Sequence, residues 1–147
     1  MTDSIKVNKA SASDYGDAID LLTSQKLPVS DIDKNLSHFF VVKENEKPIG
    51  IIGLEIYADN GLLRSMATDP SYRNNGIATA LVTQLLGYAK TFGLKDIFLL
   101  TETAADFFLK NGFQSLARED APAALKKASE FSHLCPSSAI LMKKEIV

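Results

Sequence analysis

The sequence lacks tryptophan, has a single cysteine and contains no long apolar run. One cysteine cannot form a disulfide within the chain, which favours a reducing environment such as the cytoplasm. The apolar runs at residues 39–42 and 97–100 fall far short of the roughly 20 residues that span a bilayer, and residues 1–11 show no signal-peptide pattern. We therefore expect a cytoplasmic protein with no membrane partner.

Positive and negative charges are nearly balanced, since the net charge is only −2 although 23% of the residues are charged. Proteins that bind nucleic acid usually carry a basic excess that neutralises phosphates, so we expect no nucleic-acid partner. His38 lies far along the chain from His133 and Cys135, so the two histidines and the cysteine give no zinc-binding pattern, and we predict no metal. At 147 residues and 46% hydrophobic, the chain is long and apolar enough for one domain over residues 1–147 with a buried core.

Apolar periodicity predicts a helix near the N-terminus. Ser11 is a suitable N-cap, and apolar residues follow at intervals of three and four up to Leu22. Residues 31–36 are predicted to form a second, short helix. Two apolar runs then follow, residues 38–43 and 48–57, and the polar connection between them predicts an antiparallel hairpin.

The pair Asn60-Gly61 is a turn signal, and residues 62–68 are predicted to be the next strand. A long helix is expected from Gly76 until Gly93, which can take the left-handed conformation that ends a helix. The remaining elements are predicted as a strand at 96–101, a helix at 104–110, a strand at 113–116, a helix at 119–129 and a strand at 139–144. The fold class is α+β, a mixed sheet with helices on both faces, in which the strands before and after the long helix run parallel.

The segment 69–78 joins the end of a strand to the start of the long helix and carries the main chemical signal. A helix start presents unpaired N–H groups and a partial positive charge, so it attracts phosphate, and the small residues Gly76 and Ala78 let a phosphate approach the backbone. Neither the Gly-Lys-Ser/Thr pattern of triphosphate-binding loops nor G-x-G-x-x-G is present. A plain strand-to-helix turn, with glycine used for its geometry, is the alternative.

The residues from Arg73 to Ala78, R-N-N-G-I-A, resemble the Q/R-x-x-G-x-G/A acyl-CoA motif of the GNAT superfamily. The preceding strand and the Asp-Pro pair at residues 69–70 are similar to the family's lead-in to that motif. Residues 104–113 are similar to its second signature, a short helix that ends in Gly-Phe. The resemblance implies the GNAT fold, with two splayed parallel strands in a mixed sheet, and an N-acetyltransferase that uses acetyl-CoA as its cosubstrate.

The resemblance also implies roles for individual residues. Backbone N–H groups of the loop would hold the coenzyme A pyrophosphate, and main-chain groups of the strand before it would pair with the pantetheine arm. Many family members carry a tyrosine general acid where this chain has Phe108, so either another group donates the proton or the thiolate leaves with help from water. The predicted cofactor-binding residues are Met66, Ala67, Thr68, Arg73, Asn74, Asn75, Gly76, Ile77, Ala78, Thr101 and Phe108.

Two charged residues in apolar strands are candidates for handling the acceptor amine. A carboxylate such as Glu55 is unusual in such a strand. It would act as the catalytic base through water or bind the substrate ammonium, or else face solvent or pair with an arginine. Arg64 would hold a substrate carboxylate as a bidentate pair, or form a salt bridge with Glu55. Ser137 is predicted to bind substrate, whereas Cys135 is expected to be a small buried or loop thiol.

Residues 118–122 and 131–138 resemble arsenic-resistance N-acetyltransferases of the same superfamily, and the architecture is similar to that of amino-acid N-acetyltransferases. Both resemblances imply a small substrate with an α-amine and an acid group, such as an arsenical or phosphinic amino acid. A homodimer is a further expectation. The alternatives that stay open are a catalytically weak acyl-CoA sensor and a protein or peptide N-acetyltransferase.

Overall fold

The structure, a computed structural model, describes residues 5–73, 75–127 and 138–146. Its elements are β1 (Asn8–Lys9), α1 (Tyr15–Ser24), β2 (Phe39–Glu44), β3 (Lys47–Tyr57), β4 (Asn60–Thr68), α2 (Ile77–Thr91), β5 (Asp96–Thr101), α3 (Ala105–Lys110), β6 (Gln114–Leu116), α4 (Ala123–Lys126) and β7 (Ile140–Glu145). The strands form one sheet in the order β1–β2–β3–β4–β5–β7–β6. This mixed sheet with helices confirms the predicted α+β fold class.

The chain divides into two compact units, each with its own cluster of buried apolar side chains. The first unit combines Met1–Leu54 with Ser65–Tyr88. The second unit combines Glu55–Arg64 with Ala89–Val147. The single domain expected over residues 1–147 stays a prediction.

In the first unit, Ser11 is the N-cap of the N-terminal helical segment, as predicted. The Ser11 N–H donates to Asp14 Oδ2 (3.0 Å), and a short 3-10 turn leads into α1. The hairpin of β2 and β3 is antiparallel, with Val41 opposite Ile51, which confirms the predicted pairing. Both of these residues and Leu22 of α1 are fully buried in the same cluster, because the apolar periodicity of each element directs one face towards it.

The helix predicted over residues 31–36 is wrong. This segment consists of turns and irregular backbone, and Asp33 Oδ1 accepts hydrogen bonds from the N–H groups of Asn35 (3.0 Å) and Ser37 (3.2 Å). A short polar side chain that binds the backbone just after it competes with helix formation. Leu36 is fully buried at a φ of +50°. Its apolar side chain is therefore buried from a turn and does not belong to the apolar face of a helix.

The turn predicted at Asn60-Gly61 lies earlier, at Ala58-Asp59. Ala58 takes the left-handed φ of +57°, and the Asp59 carbonyl accepts a hydrogen bond from the Lys95 N–H (2.8 Å). Asn60 and Gly61 already belong to β4, where they lie opposite residues of β5. The contacts of this segment with the rest of the second unit therefore override the local preference of Asn60-Gly61 for a turn.

In the second unit, β5 lies between β4 and β7. It pairs in parallel with β4 from Asn60, opposite Asp96, to Leu62, opposite Phe98, which confirms the parallel pair predicted around the long helix. It pairs antiparallel with β7 along its whole length, and β6 continues the sheet beyond β7. Leu62 and Phe98 belong to the buried cluster of this unit, together with side chains of α4 and β7.

The helix predicted over residues 119–129 is wrong in its extent. The α-helix covers only Ala123–Lys126, and Ala121 and Pro122 before it have an extended backbone. Proline lacks the N–H of a helix interior and disfavours the helical conformation in the preceding residue, which explains the break. Residues 128 and 129 lie outside the described residues. The bounds predicted for β5, α3, β6 and β7 agree with the structure to within one residue.

Candidate functional site

The segment between β4 and α2 contains the predicted phosphate-binding loop. Asp69 Oδ1 accepts from the Ser71 N–H (2.9 Å), which starts a short 3-10 turn, and Arg73 then has an extended backbone. Gly76 is exposed and has a φ of +85° immediately before α2, a conformation that favours glycine. The first N–H groups of a helix lack intrahelical acceptors, so this glycine-led helix start is suited to bind an anion.

The residues around this glycine divide between solvent and core. Asn75 is exposed, Ala78 is half-buried and Ile77 is buried. Ile77 contacts β3 closely, since a Cβ added to Gly50 would lie only 2.7 Å from the Ile77 Cγ2. Asn74 lies outside the described residues. The start of α2 therefore rests on the sheet of the first unit through Ile77.

The end of β4 and the loop are connected by Gln25, which was not predicted from the sequence. Its Nε2 donates to the Thr68 carbonyl (2.6 Å), and its Oε1 accepts from Arg73 Nη2 (3.1 Å). Among the other β4 residues predicted to contact the cofactor, Met66 is half-buried and Ala67 lies in the core of the first unit. The structure thus joins two predicted cofactor-binding residues, Thr68 and Arg73, through a third side chain.

Glu55 and Arg64 form an ion pair in the second unit. Arg64 Nη1 lies 2.9 Å from Glu55 Oε2, and the side chains of Arg64 and Glu55 are 1% and 28% exposed. Tyr57 donates its hydroxyl to Glu55 Oε1 (2.9 Å), so both carboxylate oxygens are held. The salt bridge, one of two alternatives for Arg64, is therefore present. Tyr57 was not predicted, although strand alternation already places it on the face of Glu55.

The backbone of β4 is irregular at Ser65, directly after Arg64. Ser65 is buried and takes a φ of +55°, which is uncommon for a residue with a side chain and persists only where the surrounding structure holds it. The parallel register with β5 ends earlier in the strand, at Leu62 opposite Phe98. A short parallel ladder of this kind agrees with the splayed strands that the resemblance implied.

Thr101 ends β5, and Phe108 lies in α3. Thr101 Oγ1 accepts a hydrogen bond from the Ala104 N–H (3.0 Å). Phe108 is 3% exposed, and its ring lies edge-on to those of Phe107 and Phe113, with centroid distances of 5.1 and 5.3 Å. The residue at the position of the usual tyrosine is thus a core residue without an acidic proton. Contact of Thr101 or Phe108 with the cofactor stays a prediction.

The predicted roles of Ser137 and Cys135 fall on positions outside the described residues. Nearby in the sequence, Ser138 donates its hydroxyl to Glu102 Oε2 (2.6 Å). Among the residues that the structure describes, no group of three or more His, Cys, Asp or Glu side chains is placed to hold a metal ion. In the same part of the chain, no helix is long and apolar enough to cross a bilayer.

The sequence profile of the Acetyltransferase (GNAT) family matches residues 10–113, which include the loop before α2 and the short helix α3. This match extends over more than half of the chain. The chain belongs to the GNAT acetyltransferase family. Membership confirms the predicted superfamily. At the level of the family, membership supports the predicted enzyme class, an N-acetyltransferase with acetyl-CoA as its cosubstrate, and the activity of this chain itself stays a prediction.

Curated relatives of this GNAT chain include amino-acid acetyltransferases. The protein from Azotobacter vinelandii is 32% identical over 95 residues, which cover 63% of this chain and 22% of the relative. The protein from Pseudomonas fluorescens is 30% identical over 127 residues, which cover 80% of this chain and 29% of the relative. The chain thus spans less than a third of the length of these relatives.

Solved structures show the same fold. N-acetylglutamate synthase from Neisseria gonorrhoeae, complexed with coenzyme A and N-acetyl-glutamate, matches with a TM-score of 0.83 at 17% identity over 97% of this chain and 35% of that one. A Mycobacterium tuberculosis protein in complex with CoA and NLQ matches with a TM-score of 0.81 at 22% identity over 97% and 99% of the two chains. A GNAT family acetyltransferase from Staphylococcus aureus Mu50 matches with a TM-score of 0.82 at 20% identity over 98% of this chain and 100% of that one. At these identities the likeness shows the fold, and it confirms the predicted GNAT fold.

Proposed function

We propose that this GNAT chain transfers the acetyl group of acetyl-CoA to the primary amine of a small, amino-acid-like molecule. The observation that carries the proposal is the family match over residues 10–113, which includes the loop from Arg73 to Ala78. The amino-acid acetyltransferases among the relatives support an α-amine as the acceptor. An arsenical or phosphinic amino acid is the finer proposal. It rests on the resemblance of residues 118–122 and 131–138.

The loop before α2 is the proposed site for the pyrophosphate of coenzyme A. Gly76 lets a phosphate approach the backbone, and the N–H groups at the start of α2 supply donors. Main-chain groups of Met66 and Thr68 would pair with the pantetheine arm. An N–H near Met66 or Ala67 would then stabilise the oxyanion that forms when the amine attacks the thioester carbonyl.

Glu55 is the side chain proposed to bind or deprotonate the acceptor amine. The amine must lose a proton before its nitrogen bonds to the acetyl carbon and the carbon–sulfur bond breaks. A carboxylate held by Arg64 and Tyr57 is fixed in orientation, so it can bind the ammonium or accept its proton through a water molecule. The thiolate takes its proton from water in this scheme, since Phe108 has none to donate.

Arg64 is the proposed partner of the substrate's acid group. Its guanidinium carries five N–H donors, and Nη1 binds Glu55. Because only 1% of the Arg64 side chain is exposed, a substrate carboxylate would reach it only after a local rearrangement. The alternative role of Arg64 is to orient Glu55, and kinetics of the substituted protein separate these two roles. Ser137 is a second proposed contact for the substrate.

An acyl-CoA sensor with little catalytic activity is the second candidate. It is favoured by Phe108, a buried ring where many family members carry a tyrosine general acid. A protein or peptide N-acetyltransferase is a further alternative. Assembly as a homodimer and a cytoplasmic location complete the proposal.

The experiment that separates these functions combines coenzyme A titration with an amine-dependent thiol-release assay. The acceptors are a panel of amino acids, their arsenical and phosphinic analogues, and short peptides. Rapid thiol release with one small acidic amine supports the proposal. Coenzyme A binding without release for any acceptor favours the sensor, and release with peptides alone favours the protein acetyltransferase.

A further inference from the structure

Gln25 is the residue of the first unit that links the end of β4 to the loop before α2. Its side chain bonds to Thr68 and Arg73, which lie 43 and 48 residues further along the chain. The two distances are 2.6 Å from Nε2 to the Thr68 carbonyl and 3.1 Å from Arg73 Nη2 to Oε1. Both partners are residues predicted to contact coenzyme A, whereas Gln25 was not among them.

The hydrogen-bonding groups of the two partners are complementary to an amide. The Thr68 carbonyl only accepts hydrogen bonds, and the Arg73 guanidinium only donates them. A glutamine side chain carries a donor and an acceptor side by side, so it serves both, and the partners determine which way the amide points. A glutamate could accept from Arg73 but could not donate to Thr68.

The end of α1 holds Gln25 in place. Lys26 follows it at a φ of +61° and donates its N–H to the Thr23 carbonyl (3.0 Å), while Leu27 donates to the Leu22 carbonyl (3.1 Å). These two bonds are the paired hydrogen bonds of the Schellman motif, which ends a helix in a defined way. The backbone of Gln25 is therefore fixed by the helix end.

The Thr68–Asp69 peptide is held from both sides. Its carbonyl accepts from Gln25 (2.6 Å), and its N–H, which belongs to Asp69, donates to the Ile49 carbonyl of β3 (2.7 Å). The orientation of this peptide determines how the chain leaves β4 and enters the loop. Gln25 thus acts on the loop at its start, through Thr68, and further along, through Arg73.

We propose that Gln25 is a positioning residue for the coenzyme A site. It keeps the last peptide of β4 and the Arg73 guanidinium in the arrangement that the pyrophosphate and pantetheine groups require. The inference rests on the proposed function, since it assumes that coenzyme A binds along β4 and the loop. A positioning role predicts an effect on cofactor affinity with little effect on the turnover of the bound complex.

The test compares Gln25→Met, which keeps the length of the side chain but removes both bonds, with Gln25→Glu, which keeps only the acceptor for Arg73. Gln84→Met is the matched control, because Gln84 is an exposed glutamine of α2. Calorimetry gives the Kd of coenzyme A, and steady-state kinetics give kcat and the KM of acetyl-CoA. We expect Gln25→Met to raise Kd and KM about tenfold with kcat within about twofold. The Kd and KM of Gln25→Glu should lie between those of Gln25→Met and the parent, and those of Gln84→Met should match the parent.

A double-mutant cycle with Arg73→Met tests the link itself. If Gln25 acts partly through Arg73, the effect of Gln25→Met on Kd shrinks in the Arg73→Met background. Equal effects in both backgrounds would overturn the link through Arg73, whereas an unchanged Kd in Gln25→Met or a loss in kcat alone would overturn the positioning role as a whole. A parent protein that bound no coenzyme A at all would instead overturn the proposed function on which the inference rests, and the parent titration shows this before any variant is made.

Discussion

Arg64 donates from Nη1 to Oε2 of Glu55 over 2.9 Å, and the arginine side chain is 1% exposed whereas the glutamate side chain is 28% exposed. The cation is therefore the buried member of the pair, and the anion faces partly outward. Burial of a charge is unfavourable unless a partner offsets it. Glu55 is thus tied to the stability of the second unit as well as to the proposed chemistry, and substitutions there must be assessed by both measures.

Glu55→Ala is expected to lower the free energy of unfolding by about 2–3 kcal/mol, because Arg64 stays buried without this carboxylate. The value is set below that of a fully buried pair, since Glu55 is partly exposed. Tyr57→Phe, which removes one hydrogen bond to the same carboxylate, should cost about 1 kcal/mol. Urea denaturation of the three proteins provides the comparison. A Glu55→Ala protein as stable as the parent would show that the pair contributes nothing.

Arg64→Lys is expected to separate the two roles proposed for the arginine. If Arg64 binds the substrate's acid group, the KM of the amine rises far more than the KM of acetyl-CoA, because lysine cannot form the bidentate pair. If Arg64 only orients Glu55, kcat falls and both KM values stay near those of the parent. Steady-state kinetics with each substrate varied in turn make the distinction. Equal increases in the two KM values would contradict both roles.

Gly76→Ala is expected to weaken coenzyme A binding about tenfold or more. Alanine is strained at a φ of +85° and adds a methyl group where the phosphate would approach the backbone. Gly93→Ala is the matched control, since Gly93 lies at the other end of α2 with a φ of +72° and no atom within 4 Å of an added Cβ. Both variants should lose similar stability. A similar loss of affinity in both would show that Gly76 has no special role in binding.

Gly50→Ala is expected to destabilise the protein by about 1–3 kcal/mol, because its Cβ would lie 2.7 Å from Ile77 and 3.2 Å from Leu81 of α2. Gly87→Ala in α2 meets no atom within 4 Å and should stabilise the helix by about 0.5–1 kcal/mol. Thermal or urea unfolding checks the opposite signs. The same sign for both substitutions would contradict the close approach of α2 to β3.

Asp14 is expected to make the free energy of unfolding depend on pH in the acidic range. Burial raises the pKa of this carboxyl, but the hydrogen bonds and charge of Lys43 (2.7 Å) and the bonds from Ser11 outweigh it, so the pKa lies below the ordinary 3.8. A lowered pKa in the folded state stabilises it at every pH above 3.8, and this contribution is lost as the pH falls through the folded value. Urea unfolding measured from neutral pH to below pH 3.8 should show that the free energy of unfolding falls less steeply for Asp14→Asn than for the parent. Parallel curves would contradict the assignment.

Periodicity predicted the elements of this fold better than it predicted the connections between them. Alternation over β2 and β3 and the three-to-four spacing of α1 survive in the structure because burial on one face selects them. The helix expected over residues 31–36 fails because Asp33 binds the backbone after it, and the long helix over residues 119–129 fails at Pro122. A strand of two residues such as β1 carries too short a pattern to recognise.

The candidate site was predictable where a residue type marks it and unpredictable where only contacts do. Gly76 and the loop around it stand out because their spacing matches a family motif. Gln25 has no local signal, since its partners Thr68 and Arg73 lie far along the chain. The φ of +55° at Ser65 likewise arises from the surrounding sheet, because serine itself does not favour it.

Acetyl transfer by this chain can be measured by incubating the protein with acetyl-CoA and a panel of small acidic amino acids, and by detecting the products by mass spectrometry. We expect one class of amine to gain a single acetyl group on its nitrogen, at a rate that rises with protein concentration, with release of an equal amount of free coenzyme A. Unchanged amines, together with intact acetyl-CoA in the presence of protein that binds it, would show that the protein does not transfer the acetyl group to such amines.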